Sequence, residues 1–86
     1  MIERFDWTDH AGWRAWVRKF DRFQVEMTIM LGHDERIPND GRADWLVRGE
    51  RLDGRAFEVI YDHPVGEDLN RVRIVSVWEI DDRGVS

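Results

Sequence analysis

Between two strand-like runs stands Leu52-Asp53-Gly54-Arg55, a tight-turn signal that obliges the runs to lie antiparallel. Asp-Gly suits a two-residue hairpin because a type I′ turn needs positive φ at both central positions. The register such a turn dictates pairs Leu52 with Arg55, Glu50 with Phe57, Arg48 with Val59 and Leu46 with Tyr61. Strands are expected from about Trp45 to Leu52 and from Arg55 to about Asp62. A polar loop from His63 to Asn70, holding Pro64 and Gly66, then leads to a last strand from Arg71 to Ile80. On that strand Val72, Ile74, Trp78 and Ile80 are expected to point one way, and Arg71, Arg73, Val75, Val77 and Glu79 the other. In the hairpin both faces mix apolar and charged groups. One face is expected to pack on helices and the opposite one to serve a partner.

Upstream the apolar spacing becomes helical. Residues 2–7 alternate as a short strand, with Ile2, Arg4 and Asp6 on one side and Phe5 and Trp7 on the other. Thr8 is a suitable N-cap. From there Trp13, Trp16, Val17 and Phe20 recur at i, i+3, i+4 and i+7, which predicts a buried stripe. Asp21 opens a second helix, with Gln24 placed to complete a capping box and Phe23, Met27, Met30 and Leu31 as its inner face. Gly32 is expected as its left-handed C-cap, and residues 33–44, with Pro38, Asn39, Asp40 and Gly41, as a loop. Asp81 to Ser86 reads as a frayed end. The order β-α-α-β-β-β is an α+β fold: a short N-terminal strand, then two helices packed on a three- to four-stranded antiparallel sheet. At 86 residues, 1–86 is expected to be a single domain.

Composition narrows the function classes. A net charge of −5 opposes broad non-specific nucleic-acid binding, which needs a dominant positive field. Twelve of the thirteen cationic side chains are nevertheless arginine, whose planar fork suits phosphate and carboxylate, so a local arginine cluster remains a route to RNA. Without cysteine there is no disulfide or thiolate chemistry. No apolar run is long enough to span a bilayer and the N-terminus has no apolar signal region, so the expected setting is cytoplasmic, away from membranes. Phosphate loops, nucleophile elbows and HExxH are missing, and a serine nucleophile has only Ser76 and Ser86 to draw on. No metal site or cofactor is expected; His33-Asp34-Glu35 lacks a matching ligand cluster and, like His63, reads as exposed loop.

Of the titratable groups, His10 at a helix N-terminus beside Arg14 can serve as acid, base or phosphate ligand; its ordinary alternative is a capping or packing histidine. Arg18 extends the same helical line, which is otherwise a solvated face. Arg48 is a charge between Leu46 and Tyr61, either paired with a carboxylate such as Glu50 or free to clamp phosphate. Arg71 and Arg73 are similar candidates on the last strand. Ten aromatic side chains exceed what so small a core readily holds, so a homodimer contact or binding face is expected.

Taken together, Thr8, His10, Ala11 and Arg14 opening the helix, Gly49, Asp53, Gly54, Arg55 and Val59 in the hairpin, and Arg73, Ile74, Val75, Val77 and Trp78 in the last strand resemble an uncharacterised family of small bacterial and phage domains. That family is related to the RelE/ParE toxin superfamily and shares the layout of BrnT toxins. The resemblance implies a RelE-like domain acting as the toxin-like half of a toxin–antitoxin module, an antitoxin protein as partner, and metal-independent RNA cleavage. It implies catalytic roles for His10, Arg14 and Arg73, with Arg18, Arg48, Tyr61 and Arg71 binding. The chain departs from the pattern in being acidic and in lacking, after Trp78, the basic and tyrosine residues found near the C-terminus in many of these enzymes. The other reading is a non-catalytic protein-binding or regulatory module of the same fold.

Overall fold

The computed structural model describes residues 2–80; the expected fraying of residues 81–86 lies outside them. Two helices cover one face of a five-stranded mixed sheet. The elements run β1 (Arg4–Trp7), α1 (Asp9–Val17), α2 (Arg22–Gly32), a 3-10 turn (His33–Glu35), β2 (Ile37–Pro38), β3 (Trp45–Glu50), β4 (Ala56–Asp62) and β5 (Arg71–Glu79). The strand order is β1-β5-β4-β3-β2. Three expectations change here. The sheet has five strands where three to four were expected, because β2 adds an edge beside β3. The segment 33–44 is not all loop, since β2 pairs with β3, and the sheet is not wholly antiparallel, since β1 lies parallel to β5. The parallel pair follows from connectivity: β1 and β5 are joined through everything between them, so no hairpin constrains their direction.

Both N-caps form as expected. Thr8 accepts from Ala11 N at 3.1 Å and Asp21 from Phe23 N at 3.0 Å. Gln24 does not complete a capping box; its amide reaches Glu50 O instead, at 2.8 Å. The left-handed residue is Lys19 (φ 62), not Gly32 (φ −103), which runs on into the 3-10 turn. Lys19 N bonds Trp16 O at 3.3 Å and Phe20 N bonds Ala15 O at 2.8 Å, a Schellman closure that turns the chain sharply into α2.

The helices present the opposite faces from those their large apolar residues predict. Toward the sheet α1 buries Ala11, Gly12 and Ala15, while Trp13 (59% exposed) and Trp16 (80%) face solvent. In the same way α2 buries Val25 and Ile29 and leaves Phe23, Met30 and Leu31 outside. Small side chains let the helices lie close over a sheet that itself supplies the bulk: Phe57, Val59, Tyr61, Val72, Ile74 and Val77 are all fully buried. Of the predicted stripe only Phe20 is buried, its ring 5.4 Å from that of Phe57.

The hairpin also closes one residue away from the expected register. Gly54 N bonds Arg51 O and Arg51 N bonds Arg55 O, so the loop has three residues with only Gly54 at positive φ (89°). Val47 therefore opposes Val59, Arg48 opposes Glu58, and Trp45 opposes Tyr61. This shift sorts the faces cleanly, because a slip of one exchanges every cross-strand partner. On β5 a register irregularity opposite Ile60/Tyr61 reverses the alternation, so Val77 turns inward and Trp78 outward, contrary to the simple pattern.

Gly49 sits where a side chain has no room. A Cβ there would lie 2.7 Å from Thr28 Cγ2 and 2.9 Å from Phe57 Cζ. Gly49→Ala is expected to lose about 1–3 kcal/mol of stability, read as a lower urea midpoint at an unchanged slope.

Candidate functional site

The residues singled out by sequence fall on both sides of the sheet. His10 and Arg14 lie on α1; His10 is exposed, its ring 6.5 Å from Trp13, and Arg14 Nε is buried without a hydrogen-bond partner among the described residues. Arg18 is exposed at the end of α1, and its carbonyl accepts from Arg51 Nη2 at 3.0 Å. Arg71 and Arg73 alternate with the buried Val72 and Ile74, so they project from the face away from the helices. The sheet thus stands between His10 and Arg14 on one side and Arg73 on the other.

That outer face is a lattice of ion pairs. Arg48 meets Glu58 at 3.1 Å, Arg71 meets Asp6 at 2.9 Å, Arg73 meets Asp62 at 3.5 Å, and Arg4 meets Asp68 at 2.7 Å. The partner of Arg48 is Glu58, across the strand pair, and not Glu50. His10, Arg48 and Arg73 do not form a common cluster, and the sheet arginines are charge-compensated one by one.

Tyr61 belongs to a different constellation, at the end of the sheet where β3 begins and β4 ends. Its hydroxyl lies 2.8 Å from His33 Nδ1. The His33 and His63 rings meet edge-on with centroids 4.5 Å apart. Arg36 caps the group: its Nη1 donates to His33 O at 2.8 Å, its guanidinium lies 4.2 Å from the centre of the Trp45 ring, and Trp45 Nε1 donates to His63 O at 3.0 Å. Asp44 secures the loop from beneath, accepting from His63 N at 3.2 Å. Sequence reading placed His33 and His63 in exposed loop, yet both are half-buried and in contact with each other. Only their shared ends of neighbouring elements bring them together, and no local spacing announces that.

The protonation states follow from the hydrogen bonds. Burial pushes the Tyr61 hydroxyl up to about 12, against the opposing pull of Arg36. The phenol therefore keeps its proton at neutral pH and donates it to His33 Nδ1, which assigns the His33 proton to Nε2. Burial, then Arg36 and His63, holds His33 below the usual histidine range, with Asp34 opposing. For His63 the logic is reversed. Its Nε2 lies 2.8 Å from Leu69 O, a carbonyl that can only accept, so Nε2 carries the proton and Nδ1 presents a lone pair. The site thus pairs an N–H donor on His33 with a basic nitrogen on His63, beside the fixed positive charge of Arg36. Among the described residues no three His, Cys, Asp or Glu side chains gather as a metal-ligand set.

Tyr61 is the chain's only tyrosine, so its titration can be followed directly by phenolate absorbance. A pKa raised on folding stabilises the native state fully below the unfolded value of 10.0 and ceases to do so as pH rises through about 12. Stability is expected to fall by about 2–3 kcal/mol across that window. Tyr61→Phe, compared by urea unfolding at each pH, should lose that part of the alkaline decline.

Comparison of the chain with family models, with curated proteins and with solved structures finds no match. Among the described residues no helix is long and apolar enough to cross a membrane.

Proposed function

We propose that the chain is the toxin-like component of a bacterial or phage toxin–antitoxin module, a cytoplasmic RelE-like domain that cleaves RNA without a metal. The observation that carries this reading is the edge-on pair of His33 and His63 beside Arg36. Cleavage of RNA by its own 2′-hydroxyl needs a base to take that proton, an acid to protonate the departing 5′-oxygen, and a cation for the charge that builds on phosphorus. His63 Nδ1 offers the base, with its ring oriented by Leu69 O. His33 Nε2 faces the acid's task, and Arg36 supplies the cation.

His10, Arg14 and Arg73, suggested by the family resemblance, have no described contact with this pair and would act through RNA binding, with Arg18, Arg48 and Arg71. Arg73, Arg48 and Arg71 would first have to leave their carboxylates. The second reading, a non-catalytic protein-binding module, is favoured by a specific observation: the outward faces of both helices expose Trp13, Trp16, Phe23 and Leu31.

Induced expression in a bacterial host separates the two. Growth arrest by the wild type, relieved by His33→Ala and by His63→Ala, supports the toxin reading. Relief by His10→Ala or Arg73→Ala but by neither of those moves the chemistry to the residues of the resemblance. Unimpaired growth with abundant soluble protein sinks the toxin reading in favour of the binding module.

A further inference from the structure

Three of the five tryptophans spend their indole N–H inside the chain: Trp7 on Glu26 at 2.8 Å, Trp45 on His63 O at 3.0 Å and Trp78 on Glu58 at 3.1 Å. Trp13 and Trp16 have no such bond among the described residues. They stand on the solvent side of α1, 59% and 80% exposed, with Phe23 following at 68% on α2. A fully covered aromatic side chain buries about 150–250 Å², so these three alone leave roughly 300–500 Å² of ring uncovered. That matches the largest apolar patch found on a typical monomer, about 300–600 Å². Val17, Met30 and Leu31 add further exposed apolar surface on the same two helices.

We infer that this face is a two-fold interface between two copies of the chain, centred on α1. A shallow, open cleft lined by Ala15, Trp16, Val17, Lys19, Phe20 and Asp21 lies at one end of α1, and Trp13 stands about one turn back along the helix. A two-fold axis midway between Trp13 and Trp16 lays the helices antiparallel and sets each Trp13 toward the other copy's cleft.

The interface is self-complementary in charge. Asp9 lies in the first turn of α1 and Lys19 just past its end, and neither has an ion-pair partner among the described residues. The same axis brings Asp9 of each copy beside Lys19 of the other, and opposes the two helix dipoles favourably. An acidic partner helix would answer Lys19 but leave Asp9 facing like charge; a second copy answers both. This inference goes beyond the toxin reading and stands whether or not the chain cleaves RNA.

Sedimentation velocity over a concentration series of the full chain tests it. The expected result is a monomer–dimer equilibrium weakened by about tenfold or more in Trp13→Glu and in Trp16→Glu, with unchanged circular dichroism. Asp9→Lys and Lys19→Asp should each weaken the dimer, and the double exchange should restore it. A wild type that stays monomeric throughout overturns the inference and leaves the face to a different protein. A dimer indifferent to both tryptophan substitutions overturns it equally.

Discussion

Phe57→Ala is expected to be the most destabilising single truncation in the described core, costing about 3–5 kcal/mol. Phe57 is fully buried near the start of β4, between Gly49 on β3 and Glu79 on β5. Its ring contacts that of Phe20, the residue that closes α1. The Arg51 guanidinium lies 4.3 Å from the centre of the Phe20 ring, donates to the carbonyls of Arg18 and Lys19, and pairs with Glu79 at 2.6 Å. Removing Phe57 therefore leaves a cavity beneath the joint at Arg51 that ties the end of α1 to the hairpin. A chain of 86 residues holds roughly 4–13 kcal/mol of total stability, so the loss is a large fraction of it. At about 4–8 °C per kcal/mol, the thermal midpoint should drop by at least ~12 °C, or the protein should fail to fold at 37 °C growth, a temperature at which ~3 kcal/mol decides. Calorimetry of the variant beside Phe57→Leu, which refills most of the volume and should recover much of the loss, checks the packing argument.

The element order was legible because its signals are local. Thr8 and Asp21 mark helix starts by side-chain caps that need only three residues of context, and Asp53-Gly54 marks the hairpin. Orientation was not legible. In α1 the apolar residues fall on two opposite stripes, and pattern reading weights Trp13 and Trp16 by size over Ala11 and Ala15. Packing decides otherwise, since a helix close above a bulky sheet needs small residues beneath it. The hairpin register was missed by one because Asp53 holds its turn by accepting from Arg55 N, at 3.0 Å, and leaves positive φ to Gly54 alone. The histidine pair was the least accessible feature. Thirty residues separate its two members, and their contact depends on α2 running on into a 3-10 turn at Gly32, where a left-handed stop was expected.

On the proposed ribonuclease reading, His33→Ala and His63→Ala are each expected to lower RNA cleavage by about 10²–10⁴-fold, the range a positioned general acid or base contributes. Both side chains are half-buried at the rim of the sheet, so folding should survive either change, and urea midpoints distinguish lost chemistry from lost structure. The two substitutions should not be additive, because the acid and base serve one proton-transfer cycle. The pH profile carries the sharper test. The acid is the His33 imidazolium, in which Nδ1 donates to Tyr61 Oη and Nε2 delivers its proton, and burial with Arg36 and His63 keeps its pKa under the ordinary 6.5. Cleavage is therefore expected to decline as pH rises through that lowered value, giving an optimum on the acid side of neutrality. Tyr61→Phe removes the hydroxyl bonded to His33 Nδ1 without removing the ring. It should lower the rate less than His33→Ala while shifting the alkaline limb of the profile, a signature that a packing role alone does not produce. Wild-type RNA ends mapped beside those of the double histidine variant, purified identically, decide the matter: equal cleavage by both places the chemistry elsewhere, and cleavage by the wild type alone places it on this pair.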